Sequence, residues 1–262
     1  MVASLQVYGG DGKIQLDTDL MTQRLIKSQT ITIQKSFWGN ANAKTTVTVR
    51  GKFPVLFFAD ALNATGYAHN NYRVDRVTSV GTGETKTWTF YLNVGGPALP
   101  SITSYTFRIY IFDSRPEART NFGIETFGED GKLTFSSFTP PMNITHSAKF
   151  PEYIFSYQFN CTYFLRIDGL HLNNCAVASN IYRDGYYAAT TTTQYIDIAQ
   201  EYVSFSNLIF PQTEAVTGVS MGLYTTGETI NDFGAIDGAT CFTIGTPTVT
   251  VIDTTNIPMP FG

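Results

Sequence analysis

Short apolar/polar alternation, broken by turn residues about every ten residues, constrains this chain more than any other feature. Residues 45–50 read Thr-Thr-Val-Thr-Val-Arg, and 54–59 form a six-residue apolar run of strand length. Two alternating segments, 72–80 and 86–94, flank Gly81-Thr82-Gly83-Glu84, the composition of a hairpin loop. The pattern continues through 105–113, 153–159, 163–168, 195–198, 202–210, 221–224 and 246–252. Helical windows are broken by Gly, Pro, Asn or Thr before three turns are complete, leaving 21–27 as the one stretch expected to hold a short helical turn. The run Thr190-Thr191-Thr192-Thr193 lies between tyrosines and reads as strand or loop. A composition with 14% aromatic and only 15% charged residues suits pleated, half-buried surfaces. Many short strands that each hide one face must stack on one another, so the expected fold class is all-β, a sandwich or barrel.

One segment occurs twice. Residues 4–18, Ser-Leu-Gln-Val-Tyr-Gly-Gly-Asp-Gly-Lys-Ile-Gln-Leu-Asp-Thr, align without gaps to 123–137, Gly-Ile-Glu-Thr-Phe-Gly-Glu-Asp-Gly-Lys-Leu-Thr-Phe-Ser-Ser. In each copy a strand ends in an aromatic residue, a tight turn closes on Asp-Gly, and a second strand starts after Lys. Asp11, Gly12, Asp130 and Gly131 are therefore turn-forming residues. The offset of 119 residues (123 minus 4) is about the size of one sandwich domain and implies duplication. The expected organisation is two β-sandwich-like domains, 1–115 and 116–262, divided near the charged, Pro-containing connector 114–119. The alternative is one pseudo-symmetric domain with the two hairpins related by a two-fold axis.

These residues also carry a resemblance. Val7-Tyr8-Gly9-Gly10-Asp11-Gly12-Lys13, running on to Asp17-Thr18, resembles the opening of minor tail proteins of tailed bacteriophages. The second copy is similar again, with Tyr110-Ile111-Phe112-Asp113 ahead of Phe122-Gly123-Ile124-Glu125-Thr126-Phe127-Gly128-Glu129-Asp130-Gly131-Lys132 as a strand-loop-hairpin unit. About two dozen residues carry the likeness; elsewhere it extends to length, strand content and abundant Tyr, Phe and Thr. It implies a non-enzymatic structural component of the virion at the tail tip or tail fibre, made in the bacterial cytoplasm and assembled with other tail proteins as a homo-oligomer or symmetric ring. No catalytic residue and no cofactor come with it. The alternatives are a receptor-binding protein that recognises a host glycan or outer-membrane protein and, behind it, a capsid decoration protein or a polysaccharide depolymerase.

Charge and cysteine usage bound the partners. Seventeen Lys and Arg against twenty-one Asp and Glu give a net charge of -4, and no basic cluster is present, which argues against nucleic-acid binding. Residues 1–20 carry Gly and Asp where an export signal needs an apolar run, and no apolar stretch reaches about 18 residues, so neither a signal peptide nor membrane insertion is expected. Cys161, Cys175 and Cys241 contain no Cys-x-x-Cys pair and read as free thiols. Asn63, Asn143 and Asn160 begin Asn-x-Thr triplets, which a Thr-rich chain produces by chance.

Chemical motifs are weak throughout. Gly218-Val219-Ser220-Met221-Gly222 has the spacing of a nucleophile elbow, but no helical sequence follows, and His69, His146 and His171 all precede the serine, against the order of that fold. Gly81 to Lys86 lacks the four-residue gap of a phosphate loop. Asp11, Asp17, Asp19, Asp232 and Asp237 miss the spacing of a calcium loop, and the histidines lack metal-ligand spacing. A glycosidase pair of carboxylates has no sequence signature of its own. The best contact candidates are two aromatic, polar loops, with Tyr67 and His69 in one and Tyr182, Arg183 and Tyr186 in the other, because Tyr and Arg concentrate binding energy at interfaces. The competing reading has Tyr72 and Tyr187 starting strands and packing inward, with the others as ordinary turn residues. The apolar, Pro-containing stretch 257–262 is expected to dock either on a neighbouring subunit or along its own core.

Overall fold

The computed structural model describes residues 6–8, 14–17, 23–34, 43–60, 71–82, 86–95, 104–114, 125–127, 133–136, 139–149, 165–168, 170, 174–182, 184–189, 195–206, 218–231, 238–241 and 245–262. The first eight strands are β1 (Gln6–Tyr8), β2 (Ile14–Asp17), β3 (Arg24–Gln34), β4 (Ala43–Gly51), β5 (Val55–Asp60), β6 (Asn71–Val80), β7 (Lys86–Gly95) and β8 (Ser104–Asp113). The remaining ten are β9 (Glu125–Phe127), β10 (Leu133–Ser136), β11 (Ile144–Lys149), β12 (Leu165–Asp168), β13 (Cys175–Ser179), β14 (Asp184–Ala189), β15 (Tyr195–Ser206), β16 (Gly218–Asn231), β17 (Gly238–Cys241) and β18 (Thr248–Asp253). The fold is all-β, as expected.

Two sheets carry the molecule. One has the order β11-β18-β13-β5-β8-β3, the other β12-β16-β15-β6-β7-β4. Both orders read as palindromes of one three-strand pattern, with β3, β8 and β5 answered by β11, β18 and β13, and β4, β7 and β6 answered by β12, β16 and β15. The repetition seen in the hairpins thus extends to the described strands of both large sheets. Its registers repeat too: Gln6 faces Asp17, Val7 faces Leu16 and Tyr8 faces Ile14, while Glu125 faces Ser136, Thr126 faces Phe135 and Phe127 faces Leu133. Every one of these six residues in the second hairpin lies 119 positions after its counterpart. Beyond the hairpin, the β3–β8 ladder slips between Leu25 and Lys27, and the β11–β18 ladder slips between Ile144 and His146, again 119 residues on.

The repeats are fused edge to edge. Val177 faces Phe58 where β13 meets β5, and Val203 and Ser204 face Tyr72 and Asn71 where β15 meets β6. Residues 115 and 116 fall between β8 and β9, hence between the repeats, yet both sheets run across that division. So does the core between them, which combines Leu56, Phe58, Tyr72, Leu92 and Phe107 with Val177, Val203, Val249 and Val251. A second cluster occupies the opposite face of the six-stranded sheet, where Leu25, Phe57, Tyr110, Phe112, Ala176 and Ile252 are covered by Met142, Ile257, Met259 and Phe261. The stretch 257–262 therefore packs on its own chain. Ser28 donates its N–H to the Phe261 carbonyl at 2.8 Å, and Phe261 N–H donates back to Ser28 at 3.0 Å.

The expected helical turn at 21–27 is corrected: Arg24, Leu25, Ile26 and Lys27 open strand β3, because pairing with residues 104–113 of β8 outweighs a weak local helical preference. Residues 195–198 and 202–206 of two expected strands belong to one strand, β15, the rest of the second, 207–210, lies outside the described residues, and 221–224 lies within the longer β16. Residues 153–159 and 190–193 lie outside the described residues. Gly51 is needed for packing, since a β-carbon there would overlap the Asp113 carboxylate, and Gly81 adopts φ 111° at the β6–β7 turn.

Candidate interaction site

The sequence-derived contact residues meet the structure unevenly. Asp11, Gly12, Asp130, Gly131, Tyr67, His69 and Arg183 lie outside the described residues. The backbone of Tyr186 sits in β14, opposite Ile198 of β15 and Thr240 of β17. Tyr182 is half-buried and packs against the main core.

Around Tyr182 the structure assembles a cluster that sequence reasoning missed. In β6 the core-facing residues are Tyr72 and Val74, so alternation sends Arg73 to the other face of the sheet. There Arg73 pairs in register with Asn93 of β7. On its other side lies β15, where extending the Val203–Tyr72 pairing by one residue brings Tyr202 opposite Arg73. The Arg73 guanidinium stands 5.7 Å from the Tyr202 ring centre and 5.9 Å from that of Tyr182. Its Nε lies 2.6 Å from Asp75 Oδ1, and Asn93 Nδ2 donates to the same oxygen at 3.4 Å. Asp75 is the residue skipped by the register shift between Val74 and Arg76, and the resulting bulge turns its carboxylate toward Arg73 two positions away.

The Arg73 side chain is 3% exposed and that of Asp75 23%. A guanidinium this buried requires its carboxylate and the two π faces, because an uncompensated charge in that position costs several kcal/mol. The cluster draws on strands from both repeats, and chemically it is a lock on the seam; the Tyr182 ring is engaged in it. No local signal in the sequence joins Arg73 to Tyr182 and Tyr202, more than one hundred positions away, since only the meeting of β6 with β15 brings them together.

Other polar groups of the interior are engaged as well. The Asp113 carboxylate accepts backbone N–H groups from Lys52 (2.7 Å), Phe53 (2.8 Å) and Ser114 (2.8 Å), pinning the corner between β4 and β5. Tyr72 donates its hydroxyl to Asp60 Oδ1 at 2.8 Å, and Arg108 Nη2 donates to the Asp60 carbonyl at 3.0 Å. Burial pushes the Cys175 thiol up to about 12, with Arg108 opposing and Asp253 adding to the rise, so it stays protonated and is a poor nucleophile. Gly218 to Gly222 lies inside β16, paired with β12 and β15, without the strained turn that an elbow serine requires. His146 is exposed on β11. Among the described residues no three His, Cys, Asp or Glu side chains gather closely enough to hold a metal ion. Comparison with family models, curated proteins and solved structures finds no match to this chain.

Proposed function

We propose that this protein is a non-enzymatic structural component of a bacteriophage tail, a minor tail protein of the tip or fibre that acts by assembly. The observation that carries the reading is the pair of hairpins. They bear the residues of the resemblance, repeat with one register, and among the described residues each forms a two-stranded sheet of its own. A two-stranded hairpin is marginal in water unless something packs on it. Two copies held on one rigid sandwich are suited to docking on neighbouring subunits of a symmetric tail. Antibody labelling of intact particles tests this, with label expected at the distal tail. Label confined to the head makes the protein a capsid decoration component, and particles that stay unlabelled when a denatured-virion control is also negative remove the reading.

A receptor-binding role is the second reading, favoured by an asymmetry of the second repeat. There β14 and β17 join β15 and β16 in a four-stranded extension with no counterpart among the described strands of the first repeat. Tyr186 and Tyr187 lie on that extension. Replacing Tyr186 with Ala should abolish competition with phage for host cells if the extension binds the receptor, and unchanged competition rules this surface out.

A further inference from the structure

One end of the first repeat is apolar and basic together. Six large hydrophobic residues are exposed among the described ones, and four of them, Phe53, Val55, Val77 and Val80, lie where β4 ends, β5 starts and β6 turns into β7. Phe53 is 62% exposed and Val80 76%. The ladders place them together: Arg50 faces Thr87 and Thr87 faces Val80, so Arg50 and Val80 are two strands apart, roughly 10 Å at ordinary strand spacing. Gly51 faces Lys86 at the edge of the same row, and the Trp88 indole N–H donates to the Gly51 carbonyl at 2.9 Å. The corner after Gly51 is held by the Asp113 carboxylate, which fixes the Lys52 and Phe53 backbone and leaves the Phe53 side chain projecting.

The charge here runs against the molecule as a whole. Arg50, Lys52 and Lys86 are exposed or half-buried at this end. The described acid beside them, Asp113, is fully buried and occupied by three backbone N–H groups; Glu84 of the connecting loop lies outside the described residues. A chain of net charge -4 thus presents three cations around protruding Phe and Val side chains. The equivalent corner of the second repeat, between β12 and β13, buries Leu170 and Cys175 and exposes the polar Asn174.

We infer that this tip is a docking surface for an anionic lipid bilayer, with Phe53 and Val80 entering the boundary between headgroups and acyl chains and Arg50, Lys52 and Lys86 meeting lipid phosphates. Separate apolar side chains standing out from turns suit a soft, wettable interface better than a flat protein partner, and interleaved cations supply the attraction to negative headgroups. The contact is shallow and spans nothing. It goes beyond the tail reading and does not depend on it.

The test is co-sedimentation of the full chain with vesicles of phosphatidylcholine alone and of phosphatidylcholine with phosphatidylglycerol. Binding is expected with the anionic vesicles and should weaken as salt is raised. Phe53→Ser combined with Val80→Ser should lower partitioning at least tenfold, about what loss of one buried apolar side chain gives. Lys52→Glu and Lys86→Glu should each reduce it on the order of fivefold or more. Phe53→Trp should raise binding, a gain that no folding defect can mimic. The proposal is overturned if the wild-type chain stays in the supernatant with anionic vesicles, or if binding is unchanged by Phe53→Ser with Val80→Ser. Binding to heparin or DNA with no binding to vesicles overturns it equally and assigns the cations to an acidic polymer.

Discussion

The two repeats share one strand order but meet at their seam with opposite side-chain sizes. Strand β5 brings Val-Leu-Phe-Phe-Ala-Asp to the junction, and β13 brings Cys-Ala-Val-Ala-Ser. Phe58 faces Val177, and Phe57 shares its cluster with Ala176 and Ala178. Two identical strands of either kind would overfill or underfill the space, so divergence of the copies is what allows the sheets to close on each other at interior density. Phe58 then stacks on Tyr72 at 5.2 Å and tilts against Phe107 at 6.2 Å, while Phe57 meets Phe112 edge-on at 5.8 Å. The outer edges differ as well. The edge of β3 is covered by Pro140 and Phe261, whose carbonyls accept the Leu25 and Ser28 N–H groups, whereas most of β11 is exposed, including Ile144 at 50%. Duplication supplied a frame, and asymmetry at its centre and rim made it one molecule.

The largest effect should come from emptying the large side of the seam. Phe58→Ala removes a fully buried ring and should cost about 3–5 kcal/mol in urea unfolding. Filling the small side comes next, with Val177→Phe expected to cost roughly 1–3 kcal/mol. Adding Phe58→Val to it exchanges the two partners, so the double variant should be less destabilised than the sum of the singles, and strict additivity would mean that the sizes are not matched across the seam. Phe261→Ala should cost about 1–2 kcal/mol through lost apolar burial. It should also speed hydrogen exchange at the Ser28 amide while leaving β11 amides unchanged. The last effect is electrostatic and confined to alkaline pH. The Cys175 thiol is raised from 9.0 to about 12, so the folded state keeps a proton that the unfolded chain gives up, and stability should be full below pH 9 and decline as pH rises from there toward 12. A Cys175→Ala chain should lack that part of the alkaline slope.

Much of this fold was legible from local pattern. Strands β4 and β6 to β8 follow directly from alternation and β5 from its apolar run, and the repeated Asp-Gly segment pointed to the two-fold repetition that the strand orders carry. Strand β3 carries a clean alternation only in its second half, Thr30-Ile31-Thr32-Ile33, whereas Arg24 to Lys27 hold no clean period across the register slip and imitate a helical turn. A second signal went unused: Ile111-Phe112-Asp113 and Val251-Ile252-Asp253 are like sequences that close the last strand of each repeat, and Phe122-Gly123 answers Phe261-Gly262. The candidate sites were less accessible. Arg73, Asp75 and Tyr202 acquire their meaning from a meeting of strands far apart in sequence, and the Phe53 and Val80 tip from what fails to cover it. Neither leaves a periodic trace.

The central claim, that the two repeats form a single cooperative sandwich, is best tested by injuring one and watching the other. Val249 is fully buried in β18 of the second repeat, and Trp88 lies on β7 of the first. In a Trp38→Phe background, Val249→Ala should cost roughly 1–2 kcal/mol for two buried methyl groups. The urea transition reported by Trp88 fluorescence should then move to lower urea with its slope unchanged. A Trp88 transition that stays in place while circular dichroism shows an earlier, separate loss of structure would contradict the claim and make the repeats independent domains.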